Sequence, residues 1–515
     1  MSDGEKNLGG AGAAAAGGQG PTTAERERTR PYTVVGAERA TGVPEPASAR
    51  LTWTDGERTL EYEARAAHCE VRDDAGVLIG RMFSLSYVVV DESGAPDRTR
   101  PVTFAYNGGP GSSSVPINFG GIGPRRVSTD GVRHVRADAA VVDNPHTLLV
   151  DSDVVFLDAL GTGWSVLAED ADPKKVFCAD GDADAFARAI CAWLTENGRW
   201  SSPLYLYGES YGTVRNAVLM RLLGERGVQL TGVVMLSAVF NIAALLNPGD
   251  DLYYLGMFPT YAATAQFFGK AGAGVGEDEW FDRAVSFAED ELAPALLRGD
   301  RLGEERERAV AEGMASFIGL GAEHILAHHL RIDLLDFRTH LLESERRVCG
   351  RLDTRFCSDE RSPMQSYDMW VAGEDAADDA LEGAWVRAFR RFCADELGYE
   401  GPARYLSNNY DKVNAGWRWG HEEPGLGDVE TPDVSLDVAV ALRRNPTCKL
   451  AIIGGRYDAA TTWWNVVHDM SRQFLSPELK SRVSWYRYGC GHMAYVDEPT
   501  LAAMGRDLHE FYEKR

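Results

Sequence analysis

The chain has 515 residues, 44% of them hydrophobic, and a formal net charge of −24. Its length exceeds that of one compact core of ordinary size, which predicts either two domains or one large α/β domain with an insertion. The negative charge disfavours nucleic acid and anionic membrane as partners, because both would repel the protein. No apolar run reaches 18 residues, so the sequence predicts no membrane-spanning helix.

The first thirty residues and the cysteines bear on the cellular compartment. Residues 1–30 contain a Gly/Ala tract and lack the large apolar residues of a signal peptide, so we expect a disordered tail on a cytoplasmic protein. The 8 cysteines show no C-x-x-C pair and no metal-ligand spacing. We therefore expect reduced thiols, no metal and no cofactor, although Cys349 and Cys357 are close enough in sequence to bridge.

In chain order, the first predicted elements are antiparallel strands between residues 31 and 90. A strand at 101–106 follows and opens into Asn-Gly-Gly-Pro-Gly at 107–111. Glycines at the carboxyl end of a strand let the backbone N–H groups approach a ligand closely, since no side chain is in the way. Taken alone, this loop would be interpreted as an ordinary Gly/Pro turn.

The middle of the chain alternates between strand and helix patterns. Apolar runs at 153–157, 204–207 and 232–236 alternate with helical patterns such as that at 184–194. This alternation predicts a mostly parallel sheet with helices on both faces. After about residue 240 the alternation stops, and residues 241–395 are predicted to form a helical cap over the carboxyl edge of the sheet. Strand patterns then resume at 450–458 and 483–488, and a final helix is predicted at 499–512.

Gly-Glu-Ser-Tyr-Gly at 208–212 has the pattern of a nucleophile elbow. The five residues alone are weak evidence, but an apolar strand precedes them and a helical segment follows, which makes the match more specific. A serine in a sharp strand-to-helix turn needs small neighbours, and its hydroxyl then stands above the sheet edge. Ser210 is therefore the predicted nucleophile, and the N–H of Tyr211 faces the site, where it can stabilise an oxyanion.

Two more residues complete a predicted catalytic triad. Asp458 ends the strand at 450–458, and His492 follows the strand at 483–488. The order nucleophile, acid, base is that of the α/β-hydrolase scaffold and differs from the order in other serine hydrolases. In this interpretation His492 takes the proton of Ser210, while Asp458 fixes the imidazole tautomer and stabilises its cation. We predict an α/β-hydrolase fold in four parts: a disordered tail (1–30), the first part of the core (31–240), a helical cap (241–395) and the second part of the core (396–515).

Several motifs, taken together, resemble those of the serine carboxypeptidases, the S10 peptidases. The matching segments are Asn-Gly-Gly-Pro-Gly at 107–111 with the three serines after it, Gly123-Pro124, Asn144-Pro145, Leu157-Asp158, the elbow at 208–212, Asp458, and Gly-His-Met at 491–493. The first block combined with the elbow is highly specific. The resemblance implies removal of a C-terminal amino acid from a peptide through an acyl-enzyme, without a metal.

The resemblance also implies roles for individual residues. By position, Gly109 and Tyr211 would supply the two oxyanion N–H groups. Asn107 and Glu209 would help to hold the terminal carboxylate of the substrate. The remaining residues implied to lie beside the substrate are Gly108 and Met493.

Glu209 can hold a carboxylate only when it is protonated, because two carboxylates at hydrogen-bond distance cannot both be charged at low cost. Such a site should work best below neutral pH. Family members usually carry a tryptophan where Ala105 stands and a second glutamate where Gly121 stands. Without that partner acid, Glu209 loses the like charge that would raise its pKa, so the acidic optimum and strict exopeptidase specificity are left open.

Three further residues or pairs bear on the site. Arg125 or Arg126 could anchor a carboxylate instead, although a solvated pair of arginines is the plainer interpretation. Ser112 replaces the cysteine usual in its motif, so a disulfide typical of secreted relatives cannot form. Cys490, two residues before His492, either lines the pocket or is a buried, inert thiol.

The sequence leaves three functions open. The first is a serine carboxypeptidase acting on small peptides. The second uses the same triad for acyl transfer or ester hydrolysis, which the missing carboxylate partners favour. The third is an inactive binding or scaffold protein, which the three intact triad positions disfavour. The side-chain preference and the oligomeric state are also open, and a homodimer is one of the oligomeric states considered.

Overall fold

A large mixed sheet forms the centre of the protein. The computed structural model describes residues 43–129, 139–359, 375–401 and 404–514, so the predicted tail at 1–30 lies outside the described residues. The strands are β1 Ala47–Thr54, β2 Thr59–Arg72, β3 Leu78–Val89, β4 Val102–Tyr106, β5 Arg125–Val127, β6 Val141–Asp143, β7 Asp153–Leu157, β8 Val166–Leu167, β9 Leu204–Glu209, β10 Leu230–Leu236, β11 Arg347–Cys349, β12 Cys357–Asp359, β13 His421–Glu423, β14 Gly427–Val429, β15 Lys449–Gly455 and β16 Val483–Tyr488.

Helices connect these strands and cover the sheet. The α-helices are α1 Ala179–Asn197, α2 Tyr211–Glu225, α3 Ile242–Leu246, α4 Asp251–Phe267, α5 Glu277–Phe287, α6 Ala293–Arg298, α7 Glu304–Ile318, α8 Ala322–Ala327, α9 Leu334–His340, α10 Ala376–Arg391, α11 Ser435–Arg444, α12 Trp463–Ser471, α13 Pro477–Lys480 and α14 Glu498–Glu513. Short 3₁₀ or π-helical turns lie at Pro116–Ile122, Leu148–Val150, Pro173–Lys175, Ala288–Leu292, Gly299–Arg301, Glu343–Glu345, Phe392–Glu396, Tyr410–Asn414 and Ala494–Val496. No helix of the described segments is both long and apolar enough to cross a membrane.

The sheet has the strand order β1-β2-β3-β7-β4-β9-β10-β15-β16, and β8 pairs with β3. The pairs from β7 to β16 along this order are parallel, and the pairs among β1, β2, β3 and β7 are antiparallel. The central strands β4, β7 and β9 are buried at every position, which explains why their sequences are continuous apolar runs rather than alternating ones. The predicted α/β-hydrolase fold, with a mostly parallel sheet between helices, is confirmed.

Alternate residues of each central strand point into separate cores on the two faces of the sheet. In β9, Leu204 and Leu206 pack in a core with α1, α2 and α11. Tyr205 and Tyr207 pack in the other core, with α10 and α14. This two-sided packing holds the strand ends in fixed positions, and the loops that leave those ends carry the predicted site residues.

The helices α4 to α9 have a third hydrophobic core of their own. Met257, Phe258 and Tyr261 belong to this core and do not line the cavity described below. The predicted domain limits at residues 240 and 395 stay predictions.

Candidate active site

Ser210 lies in a strained turn between β9 and α2. Its backbone has φ 60° and ψ −128°, a conformation that a residue other than glycine adopts only under strain. The Ser210 N–H donates to the Leu236 carbonyl at 3.0 Å, and this bond ties the turn to the neighbouring strand β10. The turn closes because its flanks are glycines: a Cβ on Gly208 would lie 2.3 Å from the Gly212 oxygen. The geometry is that of a nucleophile elbow.

Asp458 and His492 form a buried hydrogen-bonded pair. His492 Nδ1 lies 2.8 Å from Asp458 Oδ2, and the carboxylate is fully buried. The other oxygen of Asp458 accepts the N–H groups of Ala460 at 2.8 Å and Thr461 at 2.9 Å. The Thr461 hydroxyl lies 2.8 Å from Asp458 Oδ2 and 3.2 Å from His492 Nδ1. These contacts fix the orientation of the imidazole, with Nδ1 toward the carboxylate and Nε2 left for other partners.

The predicted site residues converge on one cavity of about 390 Å³. The cavity is lined, among others, by Asn107, Gly108, Gly109, Glu209, Ser210, Tyr211, His492 and Met493. Asp458 does not line it, since it is buried and bonded to the imidazole. Within the described segments, the Ser210 hydroxyl makes no hydrogen bond, and Ser210 and His492 share the lining of the cavity.

Two backbone N–H groups beside Ser210 are free to bind an anion. Neither the Gly109 nor the Tyr211 N–H donates a hydrogen bond to an atom of the described residues, and both residues line the cavity. Tyr211 is the first residue of α2, where the helix dipole adds a partial positive charge. The loop at 107–111 approaches the elbow so closely that a Cβ on Gly108 would lie 2.4 Å from the Tyr211 nitrogen. These donors have the arrangement expected of an oxyanion hole.

The surroundings of His492 favour its protonated form. Burial by itself lowers the pKa of His492, but the charge and hydrogen bond of Asp458, with a smaller contribution from Glu209, outweigh burial and leave the pKa above its ordinary value of 6.5. An imidazole with a raised pKa is a stronger base for the proton of Ser210.

Glu209 is a buried carboxyl at the edge of the same cavity. Its side chain is 3% exposed, and Tyr495 donates its hydroxyl to Oε1 at 3.2 Å. Oε2 has no hydrogen-bond partner among the residues that the structure describes. Burial raises the pKa of Glu209 to about 7, although the His492 charge and the Tyr495 hydroxyl lower it. A carboxyl with such a pKa is largely protonated below neutral pH and can then donate a hydrogen bond to another carboxylate.

The Tyr495 ring lies against Gly121, the position where family members usually carry a second glutamate. A Cβ on Gly121 would meet the Tyr495 ring at 3.1 Å, so the absence of a side chain at 121 makes room for this ring. Ala105 is fully buried in the sheet. The sequence left the acidic optimum open because a second glutamate is missing, and in the folded chain burial, rather than such a partner, is the largest cause of the raised pKa of Glu209.

The cavity has a charged wall formed by residues far from the elbow in sequence. Arg351 lines the cavity, and no carboxylate of the described chain forms an ion pair with its guanidinium. Asp378 and Glu382 of α10 line the same cavity. Burial, together with the neighbouring charge of Glu382, raises the pKa of Asp378 to about 7. The wall therefore offers both a cation and carboxyl groups to a polar substrate.

Other residues singled out from the sequence lie away from the cavity. Arg125 pairs with Asp143 at 2.9 Å, and Arg126 pairs with Glu498 at 2.7 Å. Neither arginine lines the cavity, so the hypothesis that one of them anchors a carboxylate is not supported by their positions. Cys490 is buried in the sheet core and does not line the cavity either, and burial raises the pKa of its thiol.

The two cysteines that the sequence placed close together lie opposite each other in an antiparallel pair. Cys349 of β11 pairs directly with Cys357 of β12, and both are free thiols. The hairpin between them carries Arg351 to the cavity and holds the catalytic loop, since the His492 N–H donates to the Leu352 carbonyl at 2.6 Å.

Three residues of the site were missed by sequence reasoning. Thr461 and Tyr495 each stand three positions after a triad residue, and this spacing was the available signal. Arg351 stands in a hairpin with no recognisable motif, and only the packing of that hairpin against the catalytic loop brings it to the cavity.

Comparisons with known proteins found likenesses in sequence and in fold. The family model "Serine carboxypeptidase" matches residues 80–243, which include the loop at 107–111 and the elbow but neither Asp458 nor His492. The chain is 29% identical over 185 residues to serine carboxypeptidase-like 36 of Arabidopsis thaliana, a match that covers 33% of this chain and spans about a third (34%) of that relative. The crystal structure of Kex1(delta)p, a prohormone-processing carboxypeptidase from Saccharomyces cerevisiae, superposes with a TM-score of 0.54 at 14% identity, covering 88% of this chain and 91% of that one. The last likeness concerns the fold alone.

Proposed function

We propose that this chain is a member of the serine carboxypeptidase family and hydrolyses the C-terminal peptide bond of small peptides through an acyl-enzyme on Ser210, a proposal supported by the family match over residues 80–243. The observation that carries the proposal is the meeting of Ser210, His492 and the buried carboxyl Glu209 at one cavity. Ser210 and His492 are a nucleophile and a base of the kind that covalent acyl transfer uses, and the Glu209 carboxyl suits a substrate that ends in a carboxylate.

In the first step, His492 Nε2 accepts the proton of Ser210 while the serine oxygen attacks the scissile carbonyl carbon. The carbonyl oxygen becomes an oxyanion, and the free N–H groups of Gly109 and Tyr211 stabilise its charge. The imidazolium gives its proton to the leaving amine, which departs as the released amino acid. Water then repeats the sequence on the acyl-enzyme and releases the shortened peptide, with Asp458 stabilising each imidazolium.

Specificity for a free C-terminus follows from the protonation of Glu209. Below its pKa of about 7 the carboxyl carries a proton that has no acceptor of its own at Oε2, and it can donate that proton to the substrate carboxylate. Asn107 lines the cavity next to it, and its side-chain Oδ1 accepts the Ile117 N–H at 3.1 Å, which leaves the amide NH₂ as a donor. Together these groups would bind the substrate carboxylate without a permanent buried positive charge.

The proposal is tested with Ser210→Ala and an N-blocked dipeptide. We expect the variant to release no free amino acid above the uncatalysed rate, and to lose stoichiometric labelling by a fluorophosphonate. Ser112→Ala is the control for labelling, because the Ser112 hydroxyl also lines the cavity but is bonded to Asn408 at 2.9 Å. Undiminished release by Ser210→Ala would refute the proposal.

Ester hydrolysis or acyl transfer by the same triad is the alternative. The Tyr495 ring, and not a second acid, lies beside Glu209. The site therefore has fewer groups that require a free carboxylate on the substrate, which favours this alternative. The two functions are separated by offering free-acid, amide and ester substrates with an added amine or alcohol acceptor. A carboxypeptidase prefers the free acid and yields hydrolysis products at high acceptor concentration, whereas an acyltransferase yields mainly transfer products.

A further inference from the structure

Three histidines surround one carboxylate at the outer end of the helices α8 and α9, away from the catalytic cavity. His324 Nε2 lies 2.8 Å from Asp336 Oδ2, and His340 Nδ1 lies 3.0 Å from Asp336 Oδ1. His328 Nε2 lies 3.9 Å from the same Oδ1. The ring of His324 lies 4.5 Å from that of His328 and 4.6 Å from that of His340, measured between centroids.

The spacing of these donor atoms is close to that of a coordination sphere. Two ligands of a tetrahedral Zn²⁺, each about 2.0–2.1 Å from the ion, lie about 3.3 Å apart. The Nε2 atoms of His324 and His328 lie 2.8 and 3.9 Å from the nearest Asp336 oxygens, on either side of that value. The 3.0 Å contact of His340 is made by Nδ1, which is bonded to a backbone carbonyl, so His340 would bind through Nε2. One donor atom each from His324, Asp336 and His340 can be chosen so that all lie within 4.8 Å of one another. Small side-chain rotations would therefore be enough to enclose an ion.

The tautomers of two of the rings suit metal binding. His328 Nδ1 lies 2.8 Å from the carbonyl oxygen of His324, and His340 Nδ1 lies 2.8 Å from that of Asp336. A carbonyl oxygen only accepts, so each Nδ1 carries the hydrogen and each Nε2 of the neutral ring keeps its lone pair. Metal-bound histidines typically donate their second N–H in this way, to a backbone carbonyl or a carboxylate.

The fold holds the two short helices in this arrangement. The loop between them turns back sharply, with His329 at φ 49° and Leu330 at φ 67°. The Phe337 ring of α9 is fully buried and stacks on Tyr261 with centroids 4.0 Å apart, which fixes the face that α9 presents outward. The side chains of the cluster remain reachable from solvent, at 28% exposure for His324, 38% for His340 and 12% for Asp336.

We propose that His324, Asp336 and His340, with His328 as a fourth ligand, bind a divalent transition-metal ion, Zn²⁺ being the best match. Imidazole nitrogens with one carboxylate suit Zn²⁺ and its transition-metal neighbours rather than Mg²⁺ or Ca²⁺, which prefer oxygen ligands. The ion would neutralise the Asp336 charge and join α8 to α9 as a structural clip.

The bound ion would stabilise the arrangement of α8 and α9 and would take no part in the reaction at the cavity. None of the four ligands lines the catalytic cavity. The side chain of Arg338, on the same helix α9, does line it, and its Nε donates to the Cys349 carbonyl at 2.6 Å. Binding should therefore raise thermal stability, with at most a small change in activity through the position of α9.

The test uses the full chain, stripped of metal with a chelator and dialysed. Zn²⁺ is titrated by calorimetry, Co²⁺ is followed by its visible absorption, and the melting temperature is measured with and without Zn²⁺. We expect binding of one ion, an absorption spectrum of nitrogen and oxygen coordination, and a rise in melting temperature of about 2 °C or more at saturating Zn²⁺. His324→Ala and His340→Ala should each weaken Zn²⁺ binding at least about tenfold and abolish the rise.

The matched control is His509→Ala. His509 also contacts carboxylates, with Nδ1 2.6 Å from Asp151 and Nε2 3.5 Å from Glu513, so it tests whether a histidine beside two acids is enough. Zn²⁺ binding should be unchanged in this variant. Should either histidine variant fail to fold, Asp336→Asn keeps the size of the side chain and must show the same loss. Absence of Zn²⁺ binding to the wild type would overturn the proposal. Binding of equal strength to the double variant His324→Ala/His340→Ala would also overturn it, and would indicate the thiols of Cys349 and Cys357 as the Zn²⁺ ligands instead.

Discussion

Replacement of Glu209 by glutamine should change both the stability and the pH dependence of activity. The pKa of Glu209 is about 7 in the folded protein and 4.5 for an ordinary glutamate, because burial disfavours the charged form. The stability that protonation contributes is complete below pH 4.5 and is lost as the pH rises through 7. A shift of this size corresponds to about 3 kcal/mol. Relative to the wild type, Glu209→Gln should therefore gain up to about 3 kcal/mol of unfolding free energy from acid to mildly alkaline pH.

The activity should follow the same titration. For a substrate with a free carboxylate, kcat/KM of the wild type should fall about fivefold between pH 7 and pH 8, since only protonated Glu209 can donate to the substrate. Glutamine keeps an N–H donor at every pH, so this alkaline loss should disappear in the variant. The Glu209 charge also raises the pKa of His492, so its removal should move the acid limb of the profile to lower pH. The measurements are denaturant unfolding and kcat/KM across the pH range.

Asp469→Asn is the matched control. Asp469 is another buried carboxyl with an unpartnered oxygen, burial raises its pKa to about 8, and it does not line the cavity. Its variant should show a pH-dependent gain in stability with an unchanged activity profile. The reasoning is refuted if Glu209→Gln retains the alkaline loss of activity on free-acid substrates, or if its stability difference from the wild type does not depend on pH.

Three more substitutions test neighbouring contacts. Tyr495→Phe removes a hydroxyl that lowers the pKa of Glu209, so the alkaline limb of kcat/KM should move to higher pH; a shift to lower pH would contradict this. Thr461→Val removes the hydroxyl from the catalytic carboxylate and should lower kcat about tenfold with little change in KM; an unchanged kcat would argue against a positioning role. Gly108→Ala places a Cβ 2.4 Å from the Tyr211 nitrogen and should cost about a hundredfold in kcat, whereas Gly224→Ala, with nothing within 4 Å, should leave kcat and folding intact; equal kcat in these two variants would exclude the oxyanion loop from catalysis.

The sheet and the elbow could be predicted because their signals are local. The strand β9 is buried at all six positions, and a strand buried on both faces appears in a sequence as an apolar run. The glycines around Ser210 reflect contacts within five residues, and those contacts recur wherever the turn occurs. The predicted α/β-hydrolase fold is confirmed for this reason, whereas family membership and the catalytic roles of the individual residues stay predictions.

The surroundings of Glu209 could not be predicted because they depend on a distant element. The absence of a glutamate at position 121 left the pKa of Glu209 open, whereas in the folded chain the Tyr495 ring lies against Gly121 and burial raises the pKa of Glu209. In the same way, Arg126 has the expected chemistry for a carboxylate but is bonded to Glu498, while Arg351 reaches the cavity from a hairpin that carries no motif.

By itself, the sequence determined the alternation of strands and helices, the turn at Ser210 and the positions of the candidate acid and base, since each of these signals lies in a few adjacent residues. Only the tertiary structure decided which side chains share a cavity, which carboxyl is buried enough to hold a proton near neutral pH, and which histidines surround Asp336. Burial and contact are properties of packed elements, and residues 286 positions apart, such as Glu209 and Tyr495, acquire them only when the chain folds.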